Sequence, residues 1–337
     1  MDNIADRVFT ETTSDPPADN PSLLTVILEL TPKSIAALDA SLQDIVKALV
    51  VFLNAHLSLN NSNQVAFLVS SHVGARFLHP GVSDVETETR FVNPGMYRQF
   101  RLVDEAVFGA LNKELERLAS AAKNDARSTL AGALSMAMTY TNRMLHVDQS
   151  GSAVQVAAAG TAGAQTTAAM GARVLVVSAN ESDDNNYMGI MNAIFAAQKM
   201  KVAIDVAKLG RRSAPYLEQA ADATQGVYLH VADPRGMVQT LATAFFVEPS
   251  LRSVVILPTH GNVDYKASCF LTGRAVDVGY VCSVCLCIMS MLPDSGACPM
   301  CHSQFDEHHI ARLRRGPSVR KRRKMEETKA EETKAKA

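Results

Sequence analysis

The chain has 337 residues, 47% of them hydrophobic, and a formal net charge of −1. That length and apolar content suffice for one large packed domain and a smaller one, and they exclude a wholly disordered chain. The near-neutral balance gives the molecule as a whole no electrostatic pull towards nucleic acid.

Met1 to Asn20 is polar and carries Asp15-Pro16-Pro17, without a basic start leading into an apolar run. A disordered N-terminus over residues 1–21 is expected, and no signal peptide. Leu23 to Leu30 is a continuous apolar run between Pro21 and Thr31-Pro32, which reads as a strand buried on both faces. Thr31 reads as an N-cap and Pro32 as the first helical residue. Ile35, Leu38, Leu42, Ile45, Val46, Leu49 and Leu53 then follow at helical spacing, predicting one helix of several turns packed on the sheet. Apolar stretches such as Ala48 to Leu53 are too short to cross a bilayer.

Gln64 to Ser70 predicts a second strand, Gly74 to Leu78 a short edge strand, and Pro80 to Gly95 a loop. Helices are expected over residues 101–122 and 127–145. Asp148 to Gly171, rich in Ala, Gly, Ser, Thr and Gln, reads as a flexible insertion over residues 148–171. Strands at Arg173 to Ser178, Lys201 to Ala207 and Gly226 to Val231 alternate with helices at Asn185 to Lys199, Ala214 to Thr224 and Pro234 to Phe246. In the first of these helices Met188, Met191, Ile194 and Phe195 are expected to face inward as core fillers. The alternation implies an α/β fold, a doubly wound, mostly parallel sheet over residues 22–247. Residues 248–266 read as a linker.

All six cysteines lie after residue 268. Cys282-Ser-Val-Cys285 and Cys298-Pro-Met-Cys301 are two C-x2-C pairs twelve residues apart, the spacing at which two tight turns present four thiolates to one tetrahedral Zn2+. Reduced intracellular thiols favour this metal reading over disulfides. A small C4 zinc-binding module over residues 267–306 is therefore expected, holding one structural ion. Cys269 and Cys287 lie outside the pairs; either could join a second site with His260, His302, His308 or His309, but no second pair of cysteines has ligand spacing. Arg312 to Lys324 is dense in cations, and Met325 to Ala337 repeats Glu-Glu-Thr-Lys-Ala, so residues 307–337 read as a basic, then charged, disordered tail. Its cations fit a nuclear-import signal first and a weak phosphate contact second; no interleaved aromatic residues provide a stacking platform. Asp183-Asp184 is the one tempting carboxylate pair, without a nucleophile and base around it, and no G-x4-G-K-[ST] loop is present. No catalytic or cofactor-binding residues are assigned.

The order of elements resembles a von Willebrand factor A domain. Such domains often hold Mg2+ at the C-terminal edge of the sheet, through an Asp-x-Ser-x-Ser turn after the first strand, a Thr, and an Asp after a later strand. Here the turn reads Glu29-Leu-Thr31-Pro-Lys33, Ser128 falls near the Thr position, and Ala179 stands where the later Asp would be. A hard cation needs several oxygen ligands, and an ammonium ~4 Å from a unit positive charge costs about 4 kcal/mol at an effective dielectric of 20. No Mg2+ is expected around Glu29, Thr31 and Lys33.

A domain of this type without its metal site, followed by a four-cysteine module with Gly279-Tyr-Val-Cys-Ser-Val-Cys285, resembles the smaller von Willebrand factor A/zinc-finger subunits of the TFIIH core. Ile190 to Lys199 and Val263 to Ala267 add local matches. The resemblance implies a non-catalytic scaffold acting in RNA polymerase II transcription initiation and nucleotide excision repair. It implies a nuclear location and partners among TFIIH core subunits, above all the larger von Willebrand A/zinc-binding subunit. It implies no membrane and at most weak nucleic-acid contact through the tail. The competing expectation is a RING-like zinc-dependent ubiquitin ligase or adaptor, which needs a second metal.

Overall fold

A computed structural model describes residues 21–38, 41–81, 97–121, 128–159, 170–180, 187–210, 213–231, 233–248, 251–252, 254–258, 263 and 265–314. The expectations for the N-terminus, most of the Pro80 to Gly95 loop, Asp183-Asp184, His260 and most of the basic tail lie outside these residues. The chain divides into two compact units, the second made of Ser268–Thr272 and Val276–Ala337.

The first unit is built on six strands: β1 (Ser22–Leu30), β2 (Gln64–Ser71), β3 (Ala75–His79), β4 (Gly171–Ser178), β5 (Ala203–Leu209) and β6 (Tyr228–Val231). Their order is β3-β2-β1-β4-β5-β6, with β3 antiparallel at one edge and every other pairing parallel. This is the doubly wound sheet of a von Willebrand factor A-like fold. Every residue of β1 is buried, because helices cover both faces.

Alternate residues of each strand feed two separate cores. Leu24, Val26, Leu28 and Leu30 pack with α2 (Leu42–Leu59) and α3 (Arg98–Ser120). Leu23 and Ile27 pack on the other face with α4 (Leu130–Ala159), α5 (Tyr187–Met200) and α6 (Pro215–Ala223). Gly226 closes this packing, since a Cβ there would lie 1.9 Å from the Ile204 carbonyl oxygen.

Several local expectations are corrected. The helix expected from Pro32 onward is two: α1 (Pro32–Ala37), started by Thr31 Oγ1 accepting from Ser34 N at 3.1 Å, and α2. Leu38 turns extended, and Ser41 starts α2 by accepting from Gln43 N. In α5 it is Ile190, Ala193, Ile194 and Ala197 that face inward, while Met188 and Phe195 are exposed. The expected 148–171 insertion is helical to Ala159, its alanines extending α4, and Gly171 already belongs to β4. The last helix of the domain is irregular, passing from a 3-10 turn at Pro234–Gly236 through α7 (Met237–Thr240) into a π-helical turn at Leu241–Phe245. By length and mean hydropathy, 1.3 over Leu42–Leu59, α2 is long and apolar enough to cross a membrane. Its apolar stripe from Ile45 to Leu57 is instead buried in the first core.

Part of the expected 248–266 linker is tied back to this unit. Arg252 donates through Nη1 and Nη2 to the two Asp205 carboxylate oxygens at 2.7 and 2.5 Å, and Val227 N donates to Oδ1 at 2.9 Å. Leu257 packs on the first core, and Gln219 Nε2 donates to the Lys266 carbonyl at 3.2 Å. The fork geometry of Arg suits a carboxylate that has no water.

On β4, buried Arg173 donates through Nη1 to the Phe245 and Val247 carbonyls at 2.7 and 3.0 Å. Its Nη2 lies 3.4 Å from His56 Nδ1, whose ring Nε2 is 3.2 Å from the Ser22 carbonyl. Because guanidinium only donates, Nδ1 is the acceptor and Nε2 carries the proton, so the ring is neutral. Burial first, and the Arg173 charge second, lower the His56 pKa from 6.5 to about 4, against a smaller raising effect of the Ser22 carbonyl. Between those two pH values the unfolded chain binds the proton that the folded protein refuses. Stability is therefore full above pH 6.5 and falls as the pH drops towards 4, by about 3 kcal/mol at 1.36 kcal/mol per unit. Urea unfolding across this range should show that fall, and His56→Gln should flatten it.

Candidate functional site

At the C-terminal edge of the sheet, one row of polar side chains crosses four parallel strands. The register pairs Ser70 with Glu29 and Ser178 with Lys208, and Glu29 follows Leu28, which pairs with Val177. The rows below are apolar: Val69, Leu28, Val177 and Ala207, then Leu68, Ile27, Val176 and Val206. Glu29 is 2% exposed and Lys208 0%. Ser178 Oγ donates to Glu29 Oε2 at 2.5 Å, and Asn180 Nδ2 donates to Oε1 at 3.1 Å. Lys208 Nζ donates to the Asn180 backbone carbonyl at 2.5 Å.

Glu29 is thus engaged at both oxygens, and an ammonium sits in the same network two strands away. The Lys33 side chain lies outside the described set; among the described side chains, the cation in this network is Lys208. Thr31 Oγ1 faces Ser34 Oγ and accepts from Ser34 N, so it serves as the α1 cap. Thr129, rather than Ser128, is the hydroxyl that reaches the sheet, donating to the Ser71 carbonyl at 2.7 Å and lying 3.4 Å from Ser70 Oγ. Ser128 Oγ accepts from Leu130 N at the start of α4. Ala179 is buried and offers no ligand.

After β7 (Ala267–Ser268) and β8 (Ala275–Val276), β9 (Tyr280–Val281) and β10 (Ile288–Met289) form a short antiparallel ladder in the second unit, and α8 (Glu307–Arg314) follows. The ladder is interrupted by the first cysteine turn, in which Cys282 N donates to the Cys287 carbonyl and Leu286 N to the Cys282 carbonyl, both at 3.0 Å. The second turn repeats this: Cys298 N donates to the Ser303 carbonyl at 2.9 Å, and His302 N to the Cys298 carbonyl at 3.0 Å.

These turns bring Cys282, Cys285, Cys298 and Cys301 together with all sulfurs within 4.8 Å of one another, a group that could hold a metal ion. The Cys282 to Cys301 and Cys285 to Cys298 sulfur separations are 3.8 and 3.5 Å. Four ~2.3 Å bonds in a tetrahedron place sulfurs about 3.8 Å apart, so these two separations are close to those of a tetrahedral Zn2+ site. The N–H groups of Cys285 and Val284 lower the Cys282 thiol to about 6. Cys285 receives the Cys287 N–H, which lowers it, yet burial and the three neighbouring thiols push it up to about 12. Four crowded sulfurs cannot all ionise unaided; a divalent cation removes that conflict. Ser303 Oγ lies 3.0 Å from Cys301 Sγ and 3.7 Å from Cys282 Sγ, a supporting contact that the cysteine spacing does not disclose.

His302 follows Cys301 at φ 57 and is exposed, outside the four-sulfur group. Burial of both Glu29 and Lys208 makes the sheet edge sensitive to loss of either charge. Lys208→Met should destabilise the first unit by roughly 3–5 kcal/mol, and Glu29→Gln in the same chain should recover part of it. Denaturant unfolding of the single and double variants checks this; additive losses would dissolve the coupling.

A family model described as transcription factor Tfb4 matches residues 21–302. The chain is 49% identical to the general transcription and DNA repair factor IIH subunit TFB4 of Debaryomyces hansenii, over 97% of this chain and 96% of that protein. It is 41% identical to the subunit of the same name from Saccharomyces cerevisiae, over 95% and 96%. Among solved structures, the TFIIH p34 N-terminal domain is similar at 29% identity and a TM-score of 0.51, covering 67% of this chain and 98% of that one. Sheet and cysteine turns both fall within the matched span, and the chain belongs to the family of transcription factor Tfb4.

Proposed function

We propose that this chain is a structural subunit of the TFIIH core, without catalytic activity of its own, acting by protein contacts in RNA polymerase II transcription initiation and nucleotide excision repair. The observation that carries this reading is the extent of the likeness to TFIIH subunits: it runs through both units, from residue 21 to residue 302. The sheet edge supports it, because among the described residues Glu29, Ser178, Asn180 and Lys208 are joined in one hydrogen-bonded network rather than open to a hard cation.

The division of labour follows. Residues 22–247 form a docking module, and 267–306 form a second contact surface shaped by one Zn2+ on Cys282, Cys285, Cys298 and Cys301. A tetrahedral site closed by four protein ligands has no position for a substrate. The direct partner is the larger von Willebrand A/zinc-binding subunit, the location is the nucleus, and the basic tail serves import. The ubiquitin-ligase alternative finds no support: among the described residues there is one group of metal-ligating side chains, and the relatives are transcription and repair factors.

Two outcomes are expected. Purified full-length chain mixed with the larger von Willebrand A subunit should co-elute on size exclusion; separate elution under conditions where both are folded counts against the scaffold reading. Cys298→Ser, or chelation, should remove one zinc per chain and unfold the second unit while the first keeps its own thermal transition. Structural zinc contributes on the order of 10 kcal/mol to such modules, and simultaneous loss of both transitions would contradict their independence.

A further inference from the structure

Cys269 and Cys287 stand outside the four-sulfur group, yet Cys269 is 1% exposed and its turn has a familiar shape. In Cys282-x-x-Cys285 and Cys298-x-x-Cys301 the next residue, Leu286 or His302, lies at φ 57. A non-glycine residue adopts that left-handed conformation at a cost of about 1 kcal/mol. The turn must therefore demand it. Cys269-Phe-Leu-Thr272 is followed by Gly273 at φ 70, the same offset and the same hand. The Cys269 sulfur accepts the Thr272 N–H, as the Cys282 sulfur accepts those of Val284 and Cys285. The third turn thus shares the left-handed residue and the N–H to sulfur contact, and it ends in a hydroxyl where the others end in a thiol.

Facing it is Ser290, the residue after strand β10. Phe270 N donates to the Ile288 carbonyl at 2.8 Å, which holds the two segments side by side. Ser290 N donates to Cys269 Sγ at 3.1 Å, and Ser290 Oγ lies 3.1 Å from the same sulfur. The Thr272 hydroxyl is a further partner. In chain order the segments are 269/272, 282/285, Ser290 and 298/301. The first and third meet through Cys269 and Ser290, and the second and fourth meet in the four-sulfur group.

We propose that Cys269, Thr272 and Ser290 are three positions of a second ligand set, interleaved with the first, in which hydrogen bonds from Ser290 and Thr272 to the Cys269 sulfur stand where a metal ion would. Neutral hydroxyls are poor partners for Zn2+, whereas thiolates are good ones. Two hydroxyl-to-thiol changes therefore give the set three thiolates and one open position, enough to take zinc. In the natural chain the frame carries one ion and one hydrogen-bonded substitute, which explains the buried Cys269.

This inference rests on the zinc reading of the first group, and metal stoichiometry separates the two. The full-length chain is loaded with Zn2+ for native mass spectrometry, or with Co2+ for the near-ultraviolet sulfur-to-cobalt charge-transfer band. The natural chain is expected to hold one ion, and Thr272→Cys/Ser290→Cys two, with the charge-transfer intensity about doubled. Adding Cys269→Ala to that double variant should return the count to one. Should the double variant fail to fold, Thr272→His/Ser290→Cys decides, as two thiolates and an imidazole with one open position should take a second, more weakly held Co2+. Two ions in the natural chain, or one in every folded thiol variant, overturns the second set; none in the natural chain overturns the zinc reading instead.

Discussion

A parallel sheet covered on both faces has no water to offer a charged side chain, and the polar architecture of the first unit follows from that constraint. Glu29, Lys208, Arg173 and Asp205 are each at most 2% exposed. The two rows beneath the polar edge hold none of them, with Ile27, Val176 and Val206 in register, whereas Asp205 lies in the next row opposite Leu175. Glu29, Lys208 and Arg173 lie near strand ends, and backbone groups or segments leaving the sheet complete the hydrogen bonds of these charges. Glu29 and Lys208 lie on the α4, α5 and α6 face at the C-terminal edge. Arg173 and Asp205 alternate onto the opposite face towards the other edge, where Phe245, Val247 and Arg252 meet them. The residues after the last helix are therefore part of the first unit's electrostatics and cannot be treated as a free tether.

The same constraint bears on function. Open α/β sheets bind ligands outside the carboxyl ends of their strands. Here that position is taken by an internal network in which Ser178 and Asn180 hold the carboxylate and the ammonium of Lys208 supplies positive charge. A fixed ammonium differs from a bound cation in one respect that matters: it cannot leave.

Much of this was legible in the sequence because hydrophobic runs and cysteine spacing are local signals. Leu23 to Leu30 could only be a doubly buried strand, and the two C-x2-C pairs place four sulfurs before any fold is known. Lys208 was not legible: one lysine at the end of a strand reads as solvent-exposed until its neighbours across β4 and β1 are known. Thr129 was missed by one residue, since sequence register cannot say which of two adjacent hydroxyls faces inward. The break at Leu38 was hidden because the 3.6-residue apolar pattern continues through it, while the Ser41 cap that causes it lies off the stripe. The extension of α4 to Ala159 is the reverse case, where alanine propensity prevailed over a composition that looked loose. Thr272 and Ser290 carried no signal at all, because a search for ligands counts thiols and imidazoles.

The two units reach rigidity by different routes, and this sets what each can contribute to an assembly. The first unit closes its core by burying apolar rows on both sides of a sheet, so its surface is the residue left over after burial. The second has strands of two residues, and Val278, Val284, Leu286 and Met291 remain exposed. A chain segment so short of core needs cross-links, and four thiolates sharing one ion would supply them at the turns where Leu286 and His302 are held left-handed. A module fixed by metal rather than by burial need not point its apolar side chains inward. They can stay on the outside of a stable frame, which a core-stabilised domain of the same size could not allow.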